Sequence, residues 1–430
     1  MKIFFENKLT KEDRLALLQR VSQFHHETDM TVNNLCLDIK QRGDRAVREY
    51  SQKFDKTDVK SLRVSVEECE FAKRSLSPEF KSAITVAAKN IRMFHESQRC
   101  STQKIETMEG VTCWREARPI ERVGLYVPAG SAPLPSTVLM LGIPAKLVGC
   151  KQIALCSPPK ANGSVDPFVL ATAAMIGIDE VYKVGGAQAI AAMGYGTESI
   201  PKVDKIFGPG NRYVAAAKQY VSTDSDGASI DLLAGPSEVL IIADDEANPD
   251  VVAYDLISQA EHDADAQTVL VTSSEALAKE VLRILPQRVS EFPRNAFITA
   301  SLEKSYILVA ESLKSAVQFS NDYAPEHLIV NVLNAEAIVP SIAHAGSVFI
   351  GSFAPVTAGD YASGTNHTLP TGGTARWASG VSLDSFQKYV TFQSITKSGL
   401  EGLVSTLTAF ADTEGLQAHA RAVTSRLSTK

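Results

Sequence analysis

The segment "AGPSEVLIIAD" (residues 234–244) decides the fold, because an alternation of strands and helices starts afresh there. Its apolar run predicts a buried strand, and helical patterns such as "SEALAKEVLRIL" (274–285) separate it from similar runs downstream. Those runs are "TVLVTS" (268–273), "YILVA" (306–310), "HLIVNV" (327–332) and "SVFIG" (347–351). Strands that alternate with helices in this way predict a parallel sheet covered on both faces.

The same alternation precedes this segment. It is carried by "RVGLYVPA" (122–129), "QIALCSPP" (152–159), "EVYKVGG" (180–186) and "VDKIFGPG" (203–210). We therefore predict an α/β protein with two successive doubly wound, incompletely Rossmann-like lobes, at 120–235 and 236–382. Apolar stripes at helical spacing predict an N-terminal helical arm and lead-in at 1–119, and a C-terminal tail at 383–430 that returns to helix. Ligands are expected outside the carboxyl ends of the strands, in the cleft between the lobes.

Composition narrows the possible functions. The chain has 430 residues, of which 44% are hydrophobic, and a net charge of −6 without a basic stripe, which argues against nucleic acid and anionic membranes as partners. No apolar run is long enough to span a membrane, and the first residues do not resemble a signal peptide. The six cysteines are scattered without metal-site spacing, as expected of free thiols in a reducing compartment. We expect a cytoplasmic protein.

The stretch "LISQAEHDAD" (256–265) ends a predicted helix in an unusual way. Asn248 and Pro249 look like its N-cap and first residue. Gln259 and His262 are three residues apart, so an oxygen donor and an imidazole would share one helix face. Either these two residues belong to a metal site, or they form an ordinary solvated helix end that favours His.

Three further places could carry chemistry. Glu326 and His327 are adjacent, and together they form a usable acid–base set or an accidental surface pair. Asp360 and His367 lie in the long polar loop "AGDYASGTNH" (358–367), of a kind that is often functional. His419 lies in the last predicted helix, five residues after Glu414, and could equally belong to a solvated tail.

Four of these residues would make a metal site if they converged. Gln259, His262, Asp360 and His419 supply two nitrogens and two oxygens, which suits zinc, manganese or cobalt. The lack of a cysteine ligand argues against a closed structural site. Spacing alone does not establish that the four converge.

Glycine-rich turns could hold a dinucleotide. "VPAGSAP" (127–133), "VGGAQ" (184–188) and "FGPGN" (207–211) each follow a predicted strand, where a helix N-terminus can bind phosphate. No G-x-G-x-x-G motif is present, so tight turns without a ligand remain an alternative.

The same segments resemble histidinol dehydrogenases. The resemblance is carried by "GLYVPAGSAPLPSTVLM", "KVDKIFGPGN", "AGPSEVLIIAD", "DLISQAEHD", "APEHL", "AGDYASGTNHTLPT" and "EGLQAHARAV", in order along the whole chain. Two departures are Ala129, where a second glycine beside Gly130 is expected, and "PTGGTARW", which lacks an aromatic residue found in some members.

The resemblance implies a role for each matching residue. Gln259, His262, Asp360 and His419 would bind one zinc ion. Glu326 and His327 would be the acid–base pair, with His327 accepting the hydroxyl proton and Glu326 activating water. Ser237, His367 and Glu414 would contact the substrate together with His327 and the four zinc ligands. Tyr126, Gln188 and Asn211 would contact NAD.

The resemblance also implies the reaction and the assembly. L-histidinol would be oxidised through L-histidinal to L-histidine with two NAD, the last step of histidine biosynthesis. Zinc would orient the substrate through its imidazole and amine. The family forms homodimers in which the C-terminal segment reaches the partner's site, with the first lobe on the NAD side and the second carrying the metal and acid–base residues.

Two alternatives remain open. A relative of the same fold could oxidise another polyol or a sulfonated alcohol, although Glu414 suits a cationic or imidazole-bearing substrate. A protein of another class, a bilobal metal- or solute-binding protein, would need the cleft and the ligands but not the pair of Glu326 and His327.

Overall fold

The computed structural model describes residues 1–20, 26–129, 132–233 and 235–428. Gly130, beside which the sequence departs from the family pattern, lies outside the described residues. Among the helices of the described ranges, none combines the length and apolar character needed to span a membrane.

The described strands, in chain order, are β1 (Lys2–Phe5), β2 (Ile105–Met108), β3 (Val111–Pro119), β4 (Arg122–Tyr126), β5 (Gln152–Ser157), β6 (Glu180–Lys183), β7 (Lys205–Phe207), β8 (Ser229–Ile230), β9 (Glu238–Ala243), β10 (Gln267–Thr272), β11 (Tyr306–Val309), β12 (His327–Asn331), β13 (Ser347–Ile350) and β14 (Gln387–Ile395).

The described α-helices are α1 (Lys11–Leu18), α2 (His26–Arg42), α3 (Asp44–Phe54), α4 (Val66–Ser75), α5 (Pro78–Glu96), α6 (Pro135–Val148), α7 (Pro167–Met175), α8 (Gly186–Tyr195), α9 (Arg212–Thr223), α10 (Pro249–Ala260), α11 (Glu275–Val289), α12 (Asn295–Glu303), α13 (Leu313–Tyr323), α14 (Ala335–Ile338), α15 (Val356–Tyr361), α16 (Lys397–Thr413) and α17 (Gln417–Ser428).

Two parallel sheets confirm the predicted α/β class. The first lobe has five strands in the order β6-β5-β4-β7-β8, and the second has six in the order β1-β11-β10-β9-β12-β13. Every residue of β9 and β12 is buried. Helices cover both faces of such a sheet, so the interiors of its central strands are continuous apolar runs, which makes them recognisable in the sequence.

The prediction that the N-terminal region is helical is wrong at its start. Lys2–Phe5 form β1, which pairs in parallel with β11 at the edge of the second-lobe sheet. The partner strand lies about 300 residues downstream, so the pairing leaves no local signal. The N-terminal region is therefore anchored in the second lobe by backbone hydrogen bonds.

The prediction of helix directly after residue 383 is also wrong. Gln387–Ile395 form β14, which pairs antiparallel with β3 along its full length, and β2 completes a three-stranded sheet. No residue of β14 is fully buried, and six of its nine residues are exposed, as in a sheet with a solvated face. The predicted helices of the tail, α16 and α17, follow this strand.

Candidate active site

A cavity of about 1450 Å³ lies between the two lobes. The first lobe lines it with the turns after β4 and β7, which include Pro128 and Asn211. The second-lobe wall holds seven of the predicted site residues: Ser237, Gln259, His262, Glu326, His327, Asp360 and His367. The fold thus gathers at one cavity residues that are up to 130 positions apart in the second half of the chain.

The two lobes face this cavity with opposite edges of their sheets. In the first lobe the lining turns follow the strands, as expected. In the second lobe Ser237 directly precedes β9 and Glu326 directly precedes β12, so the site lies at the amino ends of these strands. The expectation of carboxyl ends is wrong here, because Ser237 and Glu326 lie in the connections that lead into β9 and β12 and not in those that follow them.

The local sequence places Glu326 and His327 at this edge. Helix α13 ends at Tyr323, and Ala324 adopts a left-handed conformation with φ +52°. Pro325 cannot continue the helix, so the chain turns into β12 at His327. Strand β9 lies beside β12, with His327 in register with Val239.

Both side chains are buried and are held by one neighbouring residue. The backbone N–H of Glu238 donates to Oε2 of Glu326 at 2.8 Å. The carbonyl of Glu238 accepts from Nδ1 of His327 at 3.0 Å, so this nitrogen carries a hydrogen. Nε2 of His327 is buried without a hydrogen-bond partner among the described residues, and it lies 3.8 Å from Oδ1 of Asp360. Nε2 is therefore the atom free to act as a base.

Two neighbouring carboxylates raise the pKa of His327. Burial alone lowers the pKa of this imidazole, but the carboxylates of Glu326 and Asp360 more than compensate and raise it to about 9. The nearer carboxylate, Glu326, lies 3.4 Å from Nδ1. A divalent cation beside Asp360 would oppose this effect and favour the neutral imidazole that a base requires.

His367 connects the two lobes at the cavity. Its Nδ1 donates to the carbonyl of Asp360 at 3.0 Å, and its Nε2 lies 3.3 Å from Oγ1 of Thr137 in α6. Burial lowers the pKa of this imidazole. A neutral His367 with Nδ1 protonated can accept from the Thr137 hydroxyl, which leaves its ring fixed at the wall.

Three of the four predicted zinc ligands line the cavity. Gln259, His262 and Asp360 do so, and the amide Nε2 of Gln259 is buried without a partner among the described residues. The oxygen and nitrogen of a side-chain amide are told apart only by their hydrogen bonds, and Nε2 of Gln259 has none among the described residues. Turning the amide over would put its oxygen at this position, so Gln259 fits a metal ligand. Within the described ranges, however, no three His, Cys, Asp or Glu side chains cluster to hold a metal ion.

The predicted fourth ligand is elsewhere in this chain. His419 is exposed in the first turn of α17, and Glu414 is exposed at the end of α16. Neither lines the cavity. A single chain therefore brings only three of the four predicted ligands to the cavity, two oxygen donors and one imidazole.

Two local predictions need correction. The cap at Asn248 and Pro249 is confirmed, but α10 ends at Ala260, so His262 lies in the following turn and not on the helix. Its backbone N–H still donates to the carbonyl of Gln259 at 3.2 Å. Asp360 lies on the short helix α15 and not in an irregular loop.

The predicted NAD residues fall into two groups. Asn211 lines the cavity and caps α9 by accepting from the N–H groups of Tyr213 and Val214. Tyr126 and Gln188 are buried outside the cavity wall, where the Tyr126 hydroxyl accepts from Gly186 and the Gln188 amide donates to Asp55. The structure therefore does not bring these two side chains to Asn211, and their contact with NAD stays a prediction.

A buried ion pair shapes the turn before Asn211. Gly208 has φ +124°, and a Cβ there would lie 2.1 Å from the carbonyl oxygen of Tyr126, so only glycine fits. Lys218 pairs with Asp231 and also donates to the carbonyls of Gly208 and Leu232, both at 2.9 Å. Asp231 in turn accepts from the Gly208 N–H at 2.8 Å.

Replacing Lys218 with Met is expected to lower the free energy of unfolding by about 3–5 kcal/mol, because the Asp231 carboxylate stays buried without its partner. Urea denaturation measures the change. Lys40→Met is the matched control, since Lys40 pairs with Asp224 at the surface. Equal losses in the two variants would show that burial of the Lys218 pair is unimportant.

Sequence reasoning missed one histidine near the site. His95 is buried in α5 and donates from Nδ1 to the carbonyl of Ile91 at 2.8 Å. Its Nε2 lies 3.3 Å from the amide nitrogen of Asn366, the neighbour of His367. Because 271 residues separate His95 and Asn366, no local pattern could have revealed the contact.

Known proteins resemble the whole chain. The sequence model of the family described as histidinol dehydrogenase matches residues 18–427. The chain belongs to the histidinol dehydrogenase family. It is 50% identical to a histidinol dehydrogenase of Bacteroides thetaiotaomicron over 98% of each chain. It is 49% identical to that of Escherichia coli K12 over 98% of this chain and 96% of the relative.

The fold agrees with the sequence. A crystal structure of histidinol dehydrogenase from Elizabethkingia anophelis superposes with a TM-score of 0.96, at 49% identity over 99% of this chain and 98% of that one. Membership of the histidinol dehydrogenase family makes the chain an NAD-dependent dehydrogenase. The alternative of a binding protein without catalysis is therefore wrong.

Proposed function

We propose that the chain oxidises L-histidinol through L-histidinal to L-histidine in the cavity between the lobes, with two NAD and one zinc ion. The observation that carries the proposal is the buried pair of Glu326 and His327 beside Asp360, at a wall shared with Gln259 and His262. The family to which the chain belongs supports the substrate and the place of the reaction in histidine biosynthesis.

His327 begins the reaction as the base. Its Nε2 faces Asp360 and takes the proton of the substrate hydroxyl as the carbon loses its hydride. NAD, when bound, accepts one hydride at each of the two oxidation steps. The product of the first step is the aldehyde, and the Nδ1 hydrogen bond to Glu238 holds the imidazole in place throughout.

Glu326 acts in the second half of the reaction. One of its oxygens accepts from the Glu238 N–H, which leaves the other to take a proton from water as the water adds to the aldehyde. His327, after releasing its first proton to solvent, takes a hydroxyl proton of the resulting hydrate as the carbon gives up its remaining hydrogen as the second hydride. The acid formed ionises to the carboxylate of L-histidine. Because the aldehyde is reactive, both steps benefit from one enclosed cavity.

Zinc would be held by Gln259, His262 and Asp360 of one subunit and His419 of the other. The metal supplies a template that orients the substrate through its imidazole and amine. Ser237 and His367 lie at the same wall, where they would contact the substrate. Glu414 would contact it from the C-terminal tail of the other subunit.

The exposed tail supports this homodimer. Helix α17 has no buried residue, and the 17 residues of α16 bury only Gly399 and Ala411. Phe410 and Leu416 are exposed by 66% and 41%. Helices gain most of their stability from packing an apolar face, so this tail needs a partner's surface.

A reducing cytoplasm is the proposed compartment. All six cysteines are free, and Cys36, Cys150 and Cys156 are buried. Burial raises the pKa of each of these three thiols, which makes them unreactive.

Counting NADH tests the function. The purified protein with limiting L-histidinol should form two NADH per histidinol and release L-histidine. Prolonged dialysis against a chelator should abolish the activity, and added zinc should restore it. A yield of one NADH, or full activity in metal-free protein, would contradict the proposal.

Replacing His262 with Asn is expected to weaken zinc binding by at least about 10–100-fold. That is the usual loss when a group that only supports a metal ligand is removed, and His262 is proposed as a ligand itself. His262 is exposed in a turn after α10, so the fold should persist. Elemental analysis and circular dichroism measure the two effects. His344→Asn is the control, since this histidine does not line the cavity. Full zinc content in the His262 variant would remove it from the site.

A further inference from the structure

Behind the acid–base pair lies Glu238, the first residue of β9. Its backbone N–H contacts Glu326 and its carbonyl contacts His327, at 2.8 and 3.0 Å. The position of this one residue therefore determines where the carboxylate points. It also determines which nitrogen of the imidazole faces the cavity.

The side chain of Glu238 is clamped in turn. It is almost fully buried, and Arg20 donates to both carboxylate oxygens, from Nε to Oε1 at 3.0 Å and from Nη2 to Oε2 at 3.3 Å. The backbone N–H of Gly372 donates to Oε1 at 3.0 Å. A two-pronged contact of this kind fixes orientation as well as charge.

Arg20 is itself fixed to the helix that leads into β12. Its Nη2 donates to the carbonyl of Tyr323 at 2.5 Å, and its guanidinium carbon lies 3.2 Å from the centre of the Tyr323 ring. Nη1 donates to the carbonyl of Leu18 at 2.8 Å. Arg20 thus joins the start of β9 to the end of α13, and Glu326 follows α13 by three residues.

We propose that Arg20 and Glu238 are positioning residues that hold Glu326 and His327 in their working geometry. The inference rests on the roles proposed above for these two groups. Neither Arg20 nor Glu238 lines the cavity, so neither contacts substrate. Loss of the pair should therefore lower kcat and leave the KM for histidinol nearly unchanged.

The test uses the full chain loaded with zinc. Arg20→Met keeps the aliphatic stem and removes all four hydrogen bonds of the guanidinium and its contact with the Tyr323 ring. A small displacement of catalytic groups can cost up to about 10²-fold in rate. We expect a fall in kcat of this order. Arg20→Lys keeps the charge without the planar fork and should fall in between.

Two further variants keep the test decisive if Arg20→Met unfolds. Glu238→Gln preserves the shape and an acceptor for Gly372, and it should lower kcat without a change in bound zinc. The double variant Arg20→Met with Glu238→Gln should be no slower than the slower single variant, because residues of one network are not additive. Thermal unfolding is measured for every variant.

Arg14→Met is the matched control. Arg14 lies on α1, in the same N-terminal segment, and its ion pairs with Glu6 and Asp322 do not include Glu238. It should lose some thermal stability while kcat stays at the wild-type value. A fall in kcat as large as that of Arg20→Met would show that the N-terminal anchor, and not the pair, sets the rate, and would overturn the inference.

Glu326→Gln and His327→Asn separate this inference from the proposed function. If both lose activity while Arg20→Met and Glu238→Gln keep the wild-type kcat, the positioning role is wrong and the proposed function stands. A rise in KM at constant kcat would also overturn the positioning role. If Glu326→Gln and His327→Asn are themselves fully active, the proposed function fails and the inference with it.

Discussion

Glu326→Gln should slow the oxidation of histidinal about 10²–10⁴-fold, the usual contribution of a general base, and slow the conversion of histidinol to histidinal far less. Gln keeps the shape of the side chain and can still accept from the Glu238 N–H through its carbonyl oxygen. What it loses is the oxygen that takes a proton from water. The first step depends on Nε2 of His327 and should be largely spared.

Single-turnover experiments with each substrate measure this difference. Histidinol and histidinal are supplied separately with NAD in excess, and the rate of NADH formation is followed. Glu336→Gln, on α14 of the same lobe and away from the cavity, removes the same charge and serves as the control. Equal losses with histidinol and histidinal would show that Glu326 does not act only by activating water.

Features of the fold and the site that depend on short stretches of sequence could be predicted. The apolar runs of β9 and β12 are readable because strands covered on both faces are continuously apolar. Asn248 and Pro249 mark the start of α10 by their own chemistry. The adjacency of Glu326 and His327 at the start of a strand is likewise a local pattern.

Contacts between distant segments could not be read in this way. Arg20 and Glu238 are 218 residues apart, and neither residue type is unusual in its own surroundings. The edge strand β1 and the strand β14 depend on partners far along the chain. Ligand chemistry alone grouped His419 with Gln259, His262 and Asp360 without establishing that they converge, and in this chain His419 does not line the cavity that holds the other three.

Two inactive variants, His262→Asn and His419→Asn, should regain activity when they are unfolded together and refolded. If each site takes His262 from one subunit and His419 from its partner, a mixed dimer has one site with both lesions and one with neither. With random pairing about half of the dimers are mixed, so roughly a quarter of the wild-type activity should return, as the symmetry of a two-fold interface requires.

The positions of His262 and His419 in the fold are the reason for this experiment. His262 lies at the cavity wall, whereas His419 lies on a helix that buries no residue within its own chain. A metal site completed from within one chain would require the tail to leave its position after β14 and fold back over the cavity. Exchange between subunits would instead cover the exposed face of α16 and α17 and would also complete the predicted ligand set.

A mass tag on one variant shows how many mixed dimers form. Each variant refolded alone is the control and should stay inactive, which excludes recovery by refolding itself. A third mixture, His262→Asn with Asp360→Asn, should also stay inactive. Each site takes residues 262 and 360 from one and the same subunit, so in a mixed dimer each of the two sites carries one of the substitutions. If tagged mixed dimers of the first mixture form and remain inactive, His419 serves its own chain and the exchanged tail is wrong.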